Sequence, residues 1–115
     1  MFLTETHLHT NLVSPCARVS PEDAVEAYIR SDYTTLVITD HFNRGCRMHH
    51  KTEDDREWID RFLSGYHTVK KAADGRIHVL PAMEICFDHS ANDYLVYGMN
   101  EESFYAYPDM YSWGL

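Results

Sequence analysis

Apolar and polar positions follow two different periods along the chain, and these periods predict strands and helices in turn. Compact apolar runs predict strands over residues 36–38, 77–80 and 93–98, and a short mixed segment over 1–8 predicts a first strand. The segments between the first three strands are long enough for helices, so the predicted order is β-α-β-α-β-β. This alternation predicts an α/β fold with parallel strands and right-handed crossovers.

Two segments carry apolar residues at helical spacing. The first begins with Ser20 as N-cap and Pro21 at the first helical position, and it is expected to end near Ser31. The second is predicted to begin with Thr52 as its cap, and its apolar stripe runs towards an Asp-Gly pair that closes it. The polar segment 43–51 is predicted to be a loop, and the aromatic tail 100–115 to begin another helical segment.

Composition and charge narrow the classes of function. The 115 residues are 44% hydrophobic, which suits one globular domain with a modest core. The formal net charge of -8 argues against nucleic acid or an anionic membrane as a broad partner. Three widely spaced cysteines form no C-x-x-C pair, the N-terminus lacks a signal-peptide pattern, and no stretch has the length of a membrane span. These features predict a soluble, reduced, cytoplasmic protein.

Side chains suited to metal binding follow three of the predicted strands. His7 and His9 end the first strand, Asp40 and His41 end the second, and Glu84 lies just past the third. Because parallel strands present their C-terminal ends at one edge, we expect these residues to converge. Residues i and i+2 of a strand point to the same side, so the first two imidazoles can bind one ion of zinc, manganese or iron. A carboxylate bridging two ions would complete a cluster that binds phosphate oxygens and lowers the pKa of a bound water.

Each of these features also has an ordinary structural interpretation when it is taken alone. An isolated His-x-His is weak evidence for a metal site. Asp40 and His41 can form a helix cap or a hydrogen-bonded loop pair, and Glu84 can be a surface carboxylate. Their occurrence together at three strand ends favours the metal site.

Three ordered motifs resemble the PHP family, named for polymerase and histidinol phosphatase. These motifs are ETHLHT, VITDHF and AMEI, and the flanking runs SPCARVSPEDAV and NDYLVYG are similar to a bacterial branch of PHP-domain phosphoesterases. The resemblance covers nearly the whole chain. It implies a distorted, TIM-like (β/α)7 barrel with up to three divalent ions at its C-terminal face. It also implies hydrolysis of a small phosphorylated substrate by metal-activated water.

The resemblance further implies roles for single residues. His7 and His9 look like ligands of one ion, Glu84 looks like the carboxylate that bridges this ion to a second, and His41 looks like a ligand of a third. Asp40 is placed in the catalytic set, where it orients an imidazole.

The loop after the first strand departs from the family pattern. Many members have a histidine or aspartate ligand there, and this chain has Cys16, which either replaces that ligand as a thiolate or packs as a small residue. Arg18 either contacts the substrate phosphate or lies on the surface. The remaining histidines are interpreted as loop or structural residues, with the last of them also a possible stand-in ligand: His49, His50, His67, His78 and His89.

The family's later motifs, which supply further histidines and an Asp-x-His pair, do not occur in this sequence. We therefore expect residues 1–115 to be the N-terminal half of a single PHP barrel and an incomplete phosphoesterase. The alternative is a non-catalytic metal-binding remnant, or a module whose open edge is covered by a partner chain or a second copy. An amidohydrolase is a third hypothesis, since His-x-His occurs there too, but the TDH motif and NDYLVYG favour a PHP domain.

Overall fold

The chain is a mixed α/β structure, as the sequence predicts, but it contains two short strands and one short helix that the predicted β-α-β-α-β-β order lacks. The computed structural model describes residues 1–114, so Leu115, the end of the predicted tail, lies outside the described residues. In chain order the elements are β1 (Thr4–Leu8), α1 (Pro21–Arg30), β2 (Thr35–Ile38), β3 (His41–Phe42), α2 (Arg44–His49), α3 (Asp55–Ala73), β4 (His78–Pro81), β5 (Met83–Cys86), β6 (Asp93–Val96), α4 (Glu101–Ala106) and a 3-10 turn over Met110–Ser112. No helix among them is both long and apolar enough to cross a membrane.

Parallel strands form the framework that places the polar residues. One sheet has the order β1-β2-β4 and the other has the order β3-β5-β6. Strand β3 follows β2 after two residues, and β5 follows β4 after Ala82 alone, so two long strand paths cross both sheets. Along the second sheet His41 pairs directly with Glu84 in parallel register. Strands β2 and β4 of the first sheet are therefore followed directly by His41 and Glu84 in the second sheet.

Strand β6 departs from the predicted parallel arrangement. It pairs antiparallel with β5, where Glu84 lies opposite Leu95. The connection over residues 87–92 contains no helix. A parallel crossover needs about a dozen residues or more, so this short connection forms a hairpin. The prediction of parallel strands is thus correct for β1, β2 and β4 and wrong for β6.

The helix boundaries show where local capping signals decide the structure. Ser20 caps α1 as predicted, accepting a hydrogen bond from the backbone N–H of Asp23. The predicted cap of the long helix is wrong: Asp54 caps α3, and the hydroxyl of Thr52 instead donates to the Arg47 carbonyl. The predicted loop 43–51 contains α2, whose cap Asn43 accepts from the Cys46 N–H at 2.7 Å.

Two hydrophobic clusters fill the interior, and α3 contributes to both. One lies between the first sheet and the helices α1 and α3, and it includes Val25, Leu36 and Val69. The other lies beneath β3 and β5 and is largely aromatic, with Phe42, Trp58, Phe62 and Phe104 packed together. Because strands β3 and β5 are anchored on this second cluster, His41 and Glu84 project from a rigid base.

Candidate metal centre

Glu84 lies at the centre of three imidazoles. Its Oε1 is 2.9 Å from His7 Nε2, and its Oε2 is 3.1 Å from His9 Nε2 and 3.0 Å from His41 Nδ1. The ring centroids of His7 and His9 are 5.0 Å apart, and those of His9 and His41 are 4.3 Å apart. The structure therefore brings together the four residues that the sequence suggests as metal ligands.

Burial of the four side chains increases from the rim of the site to its floor. The side chain of His7 is 47% exposed, those of His41 and His9 are 23% and 17% exposed, and that of Glu84 is 10% exposed. His7 belongs to β1 and His9 follows just after that strand, whereas Glu84 is held inside β5. The site is thus a shallow depression with a carboxylate floor and access from solvent on the His7 side.

Two buried nitrogen atoms in this depression lack directional hydrogen bonds. His9 Nε2 and His41 Nδ1 have no hydrogen-bond partner within the described chain, although Glu84 Oε2 is close to both. The distances are short, but the angles do not suit N–H donation, so we interpret these contacts as proximity rather than hydrogen bonding. Buried polar atoms are normally satisfied. Imidazole nitrogens and a carboxylate that converge in this way fit a divalent ion such as zinc, manganese or iron.

The protonation state of His9 also suits a ligand. Burial lowers its pKa below the ordinary value, the neighbouring His41 acts in the same direction, and Glu84 partly opposes them. A lowered pKa keeps this imidazole neutral at neutral pH. Only the neutral ring has a lone pair that can bind a metal ion.

Cys16 lies beside the His9 and His41 rings, on the side of each ring that faces away from Glu84. Its Sγ lies 3.4 Å from His9 Nδ1 and 3.5 Å from His41 Nε2, which are the nitrogens opposite to those that face Glu84. Two groups of potential ligand atoms therefore share His9, one with His7 and Glu84 and one with Cys16 and His41. Cys16 is exposed to solvent, so it is not the small packed residue that the sequence left open.

Asp40 supports the loop beside the site. It is 1% exposed. Its Oδ1 accepts the Thr10 N–H at 2.6 Å and the Ser14 hydroxyl at 2.8 Å, and its Oδ2 accepts the Thr10 hydroxyl at 2.8 Å. Burial raises the pKa of Asp40 to about 6, while these hydrogen bonds act in the opposite direction.

No hydrogen bond in residues 1–114 joins the Asp40 carboxylate to an imidazole ring, so the predicted orienting role is not made by direct contact. Asp40 reaches His41 through Ser14, whose Oγ also accepts the His41 backbone N–H at 3.0 Å.

Sequence reasoning missed Thr10, Ser14 and Gly65. A Cβ added at Gly65 of α3 would lie 2.4 Å from both Asp40 Oδ2 and Thr10 Oγ1, so the missing side chain lets the helix approach this pair closely. One sequence signal could have indicated Thr10 and Ser14 as partners of Asp40. A buried aspartate needs hydrogen-bond donors, and these two residues lie in the loop that follows His-x-His.

Arg18 is exposed in the loop before α1, and its side chain forms no hydrogen bond or ion pair within the described residues. The structure therefore does not join it to the cluster, and a role in binding phosphate stays a prediction.

The other histidines lie outside the cluster. His50 Nε2 is 2.6 Å from the Val13 carbonyl oxygen, His67 pairs with Glu101 at the surface, and His78 and His89 are exposed. His49 lines a pocket of about 320 Å³ that it shares with His41, next to the site.

A larger cleft of about 770 Å³ lies between α2 and residues 109–112. None of the four clustered residues lines it, so we place the chemistry at the cluster in spite of the size of this cleft.

Comparison with known proteins agrees with the motif pattern. The family model of the PHP domain matches residues 5–107, a range that includes the three imidazoles, Cys16 and Glu84. Comparisons with curated proteins and with solved structures gave no match. PHP domains are generally metal-dependent hydrolases, and the converging nitrogen and carboxylate atoms described above suit that chemistry. The match over most of its length shows that this chain belongs to the PHP domain family.

Proposed function

We propose that the chain carries part of a metal-dependent phosphoesterase centre in which His7, His9 and Glu84 hold one divalent ion and His41 is a ligand of a further ion. The observation that carries this proposal is the convergence of these side chains on one point, with two buried nitrogens that lack hydrogen bonds. Family membership supports the same chemistry.

The side chains of this chain contribute binding and position. A divalent ion held by His7, His9 and Glu84 would activate a water molecule and neutralise charge on phosphoryl oxygens, which is what hydrolysis of a phosphate ester requires. His9 stays neutral because burial lowers its pKa. Glu84 is fixed between β3 and β6 by strand pairing on both sides. The exposed rim at His7 leaves room for a small phosphorylated substrate to approach.

We further propose that residues 1–115 form the N-terminal part of a single (β/α)7 PHP barrel. The parallel order β1-β2-β4, with α1 and α3 packed on one face, supports this architecture. The opposite face presents Leu80, which is 51% exposed, and a barrel would enclose that face. Since four predicted ligands cannot saturate a cluster of three ions, we expect weak or no turnover from this chain alone.

Metal content per chain tests the proposal. After equilibration with zinc and gel filtration at neutral pH, elemental analysis should find stoichiometric zinc in the wild-type protein. The double variant His7→Ala/His9→Ala should lose it. The variant His67→Ala/His78→Ala is the matched control, because it removes two exposed histidines that lie outside the cluster. A folded wild-type protein without bound metal would contradict the proposal.

The second candidate is a non-catalytic module that is completed by a partner chain. The exposed apolar face around Leu80 favours it. Light scattering and thermal unfolding test this candidate, since a monomer that unfolds cooperatively speaks against a missing partner. Metal-dependent turnover of a model phosphate ester by the chain alone, abolished by His9→Ala, would refute both this candidate and the expected incompleteness.

A further inference from the structure

We propose that Tyr97 is a positioning residue for the candidate metal centre: its hydroxyl fixes the peptide group that precedes His7 and so aims this imidazole at Glu84. The inference rests on the proposed function, because it concerns the ion assigned to His7, His9 and Glu84. The geometry that carries it is a hydrogen bond of 2.7 Å from the Tyr97 hydroxyl to the carbonyl oxygen of Thr6, 91 residues earlier in the chain.

Strand β1 is irregular at the position of His7. Glu5 of β1 pairs with Leu36 of β2. The next pair joins Leu8 to Ile38, so two residues of β1 lie opposite one residue of β2. This extra residue makes a bulge, and His7 is part of it. A bulge interrupts the ladder of hydrogen bonds and changes the direction of a side chain, so the direction of His7 depends on how the bulge is held.

Side chains hold both ends of the peptide group inside the bulge, which consists of the Thr6 carbonyl and the His7 N–H. The carbonyl accepts from Tyr97, and the N–H donates to Glu5 Oε1 at 3.0 Å. The other oxygen of that carboxylate accepts from the Tyr28 hydroxyl at 3.0 Å, which attaches it to α1. Because a peptide group is planar, hydrogen bonds at its two ends fix its orientation and the direction in which His7 leaves the strand.

His7 depends on such support more than the other clustered residues do. Strand β1 lies at the edge of its sheet, so strand pairing restrains it on one side only. The side chain of His7 is also the most exposed of the four. Glu84, in contrast, lies in β5, which is paired on both sides. A contact from outside the strand pairing therefore has its greatest effect on the position of His7.

Tyr97 connects the two strands that carry opposing ligands. It follows β6 directly, and β6 is paired with β5, the strand that holds Glu84. Thr6 belongs to β1, which lies in the other sheet. This hydrogen bond thus links the hairpin of Glu84 to the strand of His7, and it fixes the separation of the two ligands. Groups that hold ligands in place in this way commonly determine metal affinity.

The zinc affinity of the metal-free full chain, measured by competition with a chromophoric chelator at neutral pH, tests this role. Tyr97→Phe keeps the ring and removes the hydroxyl, so the affinity should fall by about tenfold. Tyr94→Phe is the matched control and should keep the wild-type affinity. Tyr94 is likewise an exposed tyrosine of this hairpin, and its hydroxyl forms no hydrogen bond within residues 1–114.

Amide exchange gives a second test that needs no metal. In the metal-free chain, Tyr97→Phe should speed hydrogen exchange at the His7 amide, as followed by NMR, because the peptide group loses one of its two fixed ends. Tyr94→Phe should leave this rate unchanged. Exchange at Val69, which is buried in α3, reports opening of the whole fold and should change less than exchange at His7.

The possible results separate this inference from the proposed function. Wild-type zinc affinity in Tyr97→Phe would overturn the inference and leave the ion at His7, His9 and Glu84 in place. A lower free energy of unfolding with unchanged zinc affinity would do the same, since Tyr97 would then only stabilise the fold. An equal loss of affinity in Tyr94→Phe, or unchanged exchange at the His7 amide, would overturn it too. A wild-type chain that binds no zinc would overturn both proposals.

Discussion

Replacing Gly65 with alanine tests the packing on which the centre depends. Gly65 lies inside α3, where alanine ordinarily stabilises a helix by about 1 kcal/mol relative to glycine. Here the added Cβ would lie 2.4 Å from Asp40 Oδ2 and 2.4 Å from Thr10 Oγ1. These two oxygens are joined by a 2.8 Å hydrogen bond, so neither can move without breaking it.

The sign of the effect follows from the sizes of the competing terms. Forcing an extra carbon into a close-packed contact costs about 1–3 kcal/mol. Loss of a buried hydrogen bond to a charged carboxylate costs about 1.5–3 kcal/mol more. These costs exceed the gain in helix propensity, so we expect Gly65→Ala to lower the free energy of unfolding by about 1.5–5 kcal/mol.

Urea unfolding followed by circular dichroism measures this loss. Gly45→Ala in α2 is the matched control, because the nearest atom to its added Cβ is Asn43 Oδ1 at an ordinary 3.4 Å. That variant should be neutral or gain up to about 1 kcal/mol. If Gly65→Ala is as stable as the wild-type protein, the contact between α3 and the Asp40–Thr10 pair does not constrain the fold, and the argument is wrong.

Two further predictions concern side-chain hydrogen bonds, one buried and one partly buried. Asp40→Ala leaves the donors of Thr10 and Ser14 unpaired, so we expect it to lower the free energy of unfolding, measured with urea, by about 2–5 kcal/mol. A decrease of less than about 1 kcal/mol would contradict the proposed support of the loop by Asp40. Burial and the hydrogen bond to Glu5 raise the pKa of Tyr28 to about 12, above its unfolded value of about 10. The stability that Tyr28 contributes is therefore present below pH 10 and lost as the pH approaches 12, and Tyr28→Phe should remove that part of the pH dependence of the unfolding free energy.

The clustering of four residues was predictable because it depends on a rule about strand ends. His7, His9, His41 and Glu84 each lie in or just beyond a strand, and parallel pairing alone brings such positions together. The start of α1 was predictable from local signals, since Ser20 is a favourable N-cap and Pro21 a favourable first helical residue.

The motif pattern does not predict the direction or the partners of the Asp40 side chain. Asp40 and His41 are adjacent in sequence, and neighbouring residues of an extended chain point to opposite sides. If His41 faces the metal, Asp40 must point away from it, into the interior, where it meets Thr10, Ser14 and the gap at Gly65. Alternation could have predicted the direction, but the partners come from a loop and a helix that no local pattern relates.

The sequence analysis did not predict the short helix α2 or the antiparallel direction of β6, for two different reasons. A helix of six residues has fewer than two turns, so no amphipathic period is visible, and Asn43 as its cap was the one local signal. For β6 the signal was the connection over residues 87–92, which is too short for a crossover.

The clustered imidazoles with Glu84 and the loop that carries Cys16 depend on different regions of the protein. His7, His9 and Glu84 are positioned by strands, whereas Cys16 is positioned by a loop that is fastened to Asp40. Because Gly65 lets α3 approach Asp40 and Thr10 closely, we expect a disturbance of the helix to affect the loop before it affects the residues at the strand ends. In Gly65→Ala the rate of alkylation of Cys16 by iodoacetamide should differ from that of the wild-type protein, while the zinc content proposed for His7, His9 and Glu84 is retained. If the zinc content fell as well, the loop and the strands would form one cooperative unit.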